Sequence, residues 1–130
     1  MKIIIDEREV SLHEKCISNT STPISIEKRV LPLGDILTTD DLNKDILLIE
    51  RKSLTDLIAS IKDGRYEEQS HRLIHSSELS RHQIVYIIEG LLSQIHNPME
   101  KKMIYSAMTT LQVFKGFSVI RTNSVQETAD

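Results

Sequence analysis

Residues 45–73 read DILLIERKSLTDLIASIKDGRYEEQSHRL, and this stretch decides the fold. Four consecutive apolar residues, Ile46 to Ile49, open it. A run apolar on both faces and too short for a helix predicts a buried strand. The strand ends in charge: Glu50, Arg51 and Lys52. Side chains alternate across a strand, so Glu50 and Lys52 emerge on one face and Arg51 on the other. A helix follows, with Leu54, Leu57, Ile58 and Ile61 at i, i+3, i+4 and i+7. Ser53 is its expected N-cap, Asp56 lies in its first turn, and Gly64 is its stop. A carboxylate beside an ammonium at the end of a buried strand is an arrangement that chains hold mainly where chemistry needs it.

Upstream, Lys2 to Asp6 reads as a strand with Asp6 at its carboxyl end, where open α/β sheets bind ligands. Arg8 to Ser18 is a predicted short helix with Leu12 and Cys16 inward, and Asn19 to Pro23 a turn. Alternation from Ile24 to Leu33 predicts a second strand, bent or at an edge because of Pro32. Gly34-Asp35 follows. The polar Thr38 to Lys44 is expected to be a turn joining the central strand as a hairpin. Downstream, a helix is predicted from Tyr66 to Ser80 and a strand from Gln83 to Ile88. Asn97-Pro98 starts a further helix that runs to Phe114. Gly116 ends that helix, and Phe117 to Arg121 is a last strand. Ser124 and Glu127 form a capping box that opens one more helix. The alternation predicts a mixed α/β sheet flanked by helices. A capped helix without a body predicts that residues 1–130 are one domain cut from a longer chain.

The 130 residues suffice for one core, and 39% hydrophobic with 27% charged content is that of an ordinary globular chain. A net charge of −3 excludes a generally basic nucleic-acid binder, so DNA contact would need a local patch. One cysteine, Cys16, allows no internal disulfide and fits a reducing compartment. The apolar runs are too short for a membrane span or a signal peptide, so an intracellular protein of nucleus or cytoplasm is expected.

Three blocks in order, Asp6-Glu7-Arg8-Glu9, Gly34-Asp35, and Glu50-Arg51-Lys52 with Asp56, resemble the signature of the ERCC4 nuclease domain. That family includes the XPF, MUS81 and Hef structure-specific endonucleases. Asp63-Gly64-Arg65, Glu68-Gln69 and Arg72-Leu73 continue the pattern, and the likeness spans the whole chain. It implies a restriction-endonuclease-like core, Mg2+ as cofactor with Mn2+ able to substitute, and branched, flapped or forked DNA as substrate. It also implies a homodimer or heterodimer through the last helices, with the Ile104 to Val113 surface as the expected interface. The chain departs from the family twice. Ile36-Leu37-Thr38 stands where aromatics usually follow Gly-Asp, and residues 1–130 hold no Gly-x-Gly hairpin of the helix-hairpin-helix module that relatives commonly carry, which is expected to have been removed or to come from a partner.

Phosphodiester hydrolysis needs an activated water, stabilised charge on phosphorus and a neutralised leaving oxygen. A hard divalent cation held by carboxylates can supply all of these. Asp35 and Glu50, at the ends of strands expected to be neighbours, are the candidate metal ligands, with Asp6 close by. Lys52 would orient water or offset phosphate charge, Arg51 would clamp carboxylate or phosphate, and Asp56 would orient one of them. Arg8, Arg65, Gln69 and Arg72 are the candidate DNA contacts. Taken singly, Asp35 reads as a turn residue, Asp56 as a cap and Glu50-Arg51-Lys52 as a solvated strand end; their order together favours the nuclease. Two alternatives stay open: a phosphodiesterase of small cyclic nucleotides, and a non-catalytic partner subunit.

Overall fold

The computed structural model describes residues 2–18, 25–42, 44–76 and 79–129; the turn expected over Asn19 to Pro23 lies outside them. Six strands form one sheet: β1 (Lys2–Asp6), β2 (Ser25–Arg29), β3 (Ile36–Thr39), β4 (Asp45–Ser53), β5 (Ile84–Glu89) and β6 (Ser118–Thr122). Their spatial order is β2-β1-β3-β4-β5-β6. Only β3 runs antiparallel to its neighbours; the other pairs are parallel. The carboxyl ends of β1, β4 and β5 therefore meet the start of β3 at one end of the sheet. β5 is buried along its whole length, as a strand covered on both faces should be. β2 takes the edge that Pro32 foretold.

β3 corrects the sequence reading, which placed a turn from Thr38 onward. Ile36, Thr38 and Thr39 are buried between β1 and β4, where β-branched side chains fit a pleated surface whatever their polarity. The turn begins only at Asp40, whose Oδ1 accepts from the backbone N–H of Leu42 and of Lys44, both at 2.9 Å. β4 also outruns its apolar stretch. Its charged end stays in register with β5 as far as Ser53 opposite Glu89.

α2 (Leu54–Asp63) begins on the predicted cap, with Ser53 Oγ accepting from Asp56 N–H at 3.1 Å. It ends at Gly64 in the left-handed region, φ 85°. α3 (Arg65–Ser76) and α4 (Pro98–Thr109) pack beside α2. Leu54, Leu57, Leu73, Ile104 and Leu111 bury their side chains against Leu48, Tyr86 and Ile88 of the sheet. The helix expected to run unbroken to Phe114 loosens into a π-turn over Thr110–Phe114. Thr109 and Thr110 each donate a hydroxyl back to a carbonyl four residues earlier at 2.9 Å, a competition known to distort helices. On the other face, α1 (Val10–Ser18) packs against α5 (Val125–Ala129). Among the described residues no helix is long and apolar enough to cross a membrane.

Candidate active site

A cavity of about 270 Å3 opens where β1, β3 and β4 meet, walled by α2 and α3. Arg8, Asp35, Glu50, Arg51, Lys52, Asp56, Gln69 and Arg72 all line it. Gly34 makes the approach of β3 possible. Its φ of 73° is left-handed, and a Cβ there would stand 2.7 Å from Leu48 Cδ1. The tight turn lets Asp35 N–H donate to Ile49 O at 2.8 Å. The Asp35 carboxylate then reaches across to accept from Arg51 N–H at 2.7 Å. Asp35 thus meets Glu50 at the mouth of β4, as neighbouring strand ends should.

Both carboxyls are raised, chiefly by burial. Burial pushes Asp35 up to about 6, with Glu9 adding to the rise. Burial pushes Glu50 up to about 7, and the charge of Asp35 adds to it. Arg8 and Lys52 oppose both shifts without cancelling them. Lys52 is buried on the Glu50 face, its Nζ donating to the buried Ser60 Oγ at 3.3 Å.

Several residues serve differently from expectation. Asp6 is almost fully buried and does not line the cavity. Its Oδ1 accepts from Arg8 N–H and Arg8 Nε at 2.9 and 2.8 Å, and its Oδ2 from Arg8 Nη2 and Leu31 N–H at 3.2 and 3.0 Å. The Arg8 hydrogen bonds hold its carboxyl well below the ordinary range. With four donors on two oxygens, Asp6 fixes Arg8 at the pocket rim. Arg51 spends its guanidinium on Glu89, at 3.0 and 2.6 Å, and on Glu9. Asp56 stands exposed on the rim and pairs with neither Lys52 nor Arg51 among the described residues. Arg65 is drawn away by Asp63, whose Oδ1 takes its N–H at 3.1 Å and whose Oδ2 takes its Nε at 2.8 Å. Gln69 and Arg72 reach the cavity, Arg72 paired with Glu68.

Two supporting residues escaped the sequence reading. Glu89 anchors Arg51 and accepts Thr128 Oγ1 at 2.6 Å, which ties α5 to the strand. Ser60 seats Lys52. The one available signal for Glu89 was a carboxylate closing an otherwise apolar strand.

The model of the ERCC4 domain matches residues 5–130. The chain belongs to the ERCC4 family. It is 31% identical to the probable crossover junction endonuclease mus81 of Dictyostelium discoideum, covering 100% of this chain and 16% of that protein. It is 37% identical to the crossover junction endonuclease mus-81 of Neurospora crassa, covering 98% of this chain and 22% of that one. The ERCC4 chain thus spans about a fifth of these curated relatives. Among solved structures, XPF from Aeropyrum pernix superposes with a TM-score of 0.78 at 27% identity, over 99% of this chain and 60% of that one. The same protein in complex with DNA gives 0.71 at 26% identity, over 98% and 59%. The likeness carries the restriction-endonuclease-like α/β fold that the motifs implied.

Proposed function

We propose that this ERCC4 domain is the nuclease unit of a metal-dependent endonuclease that cuts branched, flapped or forked DNA. The observation that carries this reading is the pair Asp35 and Glu50, with Lys52, in one pocket. A phosphodiester is anionic, and two carboxylates facing it repel it unless a cation stands between. Among the described residues no group of three or more His, Cys, Asp or Glu could enclose an ion. Two carboxylates open to water and substrate still suit Mg2+, which commonly keeps several waters and shares itself with phosphate oxygens. The lifted pKa values of the pair favour the same occupant, a cation in place of protons.

Asp35 and Glu50 would hold the ion, with Mn2+ able to replace Mg2+. Such an ion lowers the pKa of bound water and offsets charge on the scissile phosphate. Lys52, held by Ser60 on the Glu50 face, directs its ammonium at a non-bridging phosphate oxygen and steadies the attacking water. Arg8 and Arg72 at the rim grip the flanking phosphates. Asp6 and Arg51 keep Arg8 and the β4 end in place.

The deciding experiment is Mn2+-dependent cleavage of labelled fork, flap and duplex DNA by wild type, Asp35→Ala and Lys52→Ala. Cutting near the branch point is expected, with each variant at least about a hundredfold slower. Equal cutting by Asp35→Ala would place the chemistry elsewhere. Cleavage of a cyclic dinucleotide but of no DNA would favour the small-nucleotide reading.

The dimer surface also needs restating. Ile104 and Leu111 lie in the core, whereas Tyr105, Val113 and Phe114 stand out from the α4 end, Phe114 at 77% exposure. These three, rather than the whole Ile104 to Val113 run, are the proposed contact. Phe114→Glu should convert a dimer seen by analytical ultracentrifugation into a monomer; an unchanged sedimentation coefficient rejects this face.

A further inference from the structure

Beneath the carboxylate pair lie two polar atoms that the chemistry above leaves idle. Gln69 Oε1 and Tyr86 Oη are buried and have no hydrogen-bond partner among the described residues. Native chains keep few such groups, because each has given up water for nothing. Both belong to the Glu50 side of the sheet. Tyr86 is the register partner of Glu50 across the parallel β4–β5 pair, so the two side chains leave the same face as neighbours. The Tyr86 ring is stacked on Phe117 at 5.4 Å and the residue is 1% exposed, so its hydroxyl cannot turn to solvent. Gln69 lines the cavity together with Glu50. It follows the buried Tyr66 by about one turn of α3, which aims Gln69 at the sheet.

We propose that one water bound below Glu50 joins these groups, which makes Tyr86 and Gln69 positioning residues for the metal-holding carboxylate. The inference rests on the metal-dependent reading above. The hydrogen-bond count closes. The water accepts the Tyr86 O–H, donates one hydrogen to Gln69 Oε1 and donates the other to a Glu50 oxygen. Three partners are what a buried water ordinarily takes, and its place would be at the floor of the cavity, which Gln69 and Glu50 line and beneath which Tyr86 is buried. The remaining Glu50 lone pairs then face the pocket in one fixed orientation. Partners that orient a ligand in this way are commonly worth tenfold or more in metal affinity.

The test is the Mn2+ dissociation constant of the intact chain at pH 8, by titration calorimetry, with a thermal melt beside each sample. Tyr86→Phe and Gln69→Met are each expected to weaken Mn2+ about tenfold, without a lower melting temperature for Tyr86→Phe. The double variant should bind within about twofold of either single one, because both act through the same water. A hydroxyl that only fills space would leave the constant unmoved on removal. Wild-type affinity in both single variants, with Asp35→Asn unable to bind, overturns the inference and leaves the site standing. Additive losses in the double variant overturn the shared water. Wild-type affinity in Asp35→Asn overturns the site and this inference together. Gln69→Met answers alone if Tyr86→Phe does not fold.

Discussion

Asp35→Asn will melt at a higher temperature than the wild type at pH 8 in the absence of divalent metal, and it will not cleave DNA. In the folded chain Asp35 is lifted from 3.8 to about 6 and Glu50 from 4.5 to about 7. A carboxyl whose folded value lies above its unfolded one opposes folding once it ionises. The penalty is absent below about pH 4, grows as pH rises through 7, and is complete at pH 8. Asparagine removes one of the two charges and relieves its neighbour. It also keeps an oxygen to accept from Arg51 N–H, so the β3–β4 junction survives. The expected gain is about 2 kcal/mol at pH 8, or roughly 6 °C for a chain of this size. Near pH 4 the two proteins should melt together. Mn2+ should raise the wild-type melt at pH 8 and leave Asp35→Asn unmoved, since the ion supplies the charge that the mutation makes unnecessary. A lower melting temperature for Asp35→Asn at pH 8 would mean that the carboxylate stabilises the apo fold, against the argument from burial.

That trade between stability and activity was half legible in the sequence. The period of a strand puts Glu50 and Lys52 on one face, and the structure keeps them there. The stripe of α2 and its cap at Ser53 followed from local chemistry alone. What pairing across the sheet decides could not be read. Thr38 and Thr39 look like turn residues until β1 and β4 enclose them. Asp6 looks like a ligand until the Leu31 N–H, 25 positions away, takes its second oxygen. Helical spacing alone would let Arg65 share a face with Gln69, but Asp63 captures it within two residues. Arg51 is the clearest case. Its partners lie 38 positions away on β5 and 42 away ahead of α1, so no motif spacing could name them.

Arg51→Met will cost the ERCC4 domain about 3 kcal/mol of stability, the usual range for breaking a buried ion pair. The guanidinium is 16% exposed, and it lies between Glu89 at 9% and Glu9 at 18%. Its fork binds both Glu89 oxygens while Nη1 reaches Glu9. Methionine fills the space of the alkyl stem yet leaves two half-buried carboxylates facing each other without a cation. Glu89 also carries Thr128 Oγ1, and Thr128 meets Thr122 at 2.6 Å, so the loss reaches α5 and the end of β6. The loss should appear as a lower urea midpoint than that of the wild type. Glu89→Gln combined with Arg51→Met should recover part of it by removing one of the unpaired charges. The rival role for Arg51, a clamp on substrate phosphate, makes the opposite forecast. Under it, Arg51→Met would unfold like the wild type at every pH and lose only DNA affinity, with a shallower salt dependence. The geometry favours the first outcome, because a guanidinium that already holds three carboxylate oxygens has little left to offer a phosphate.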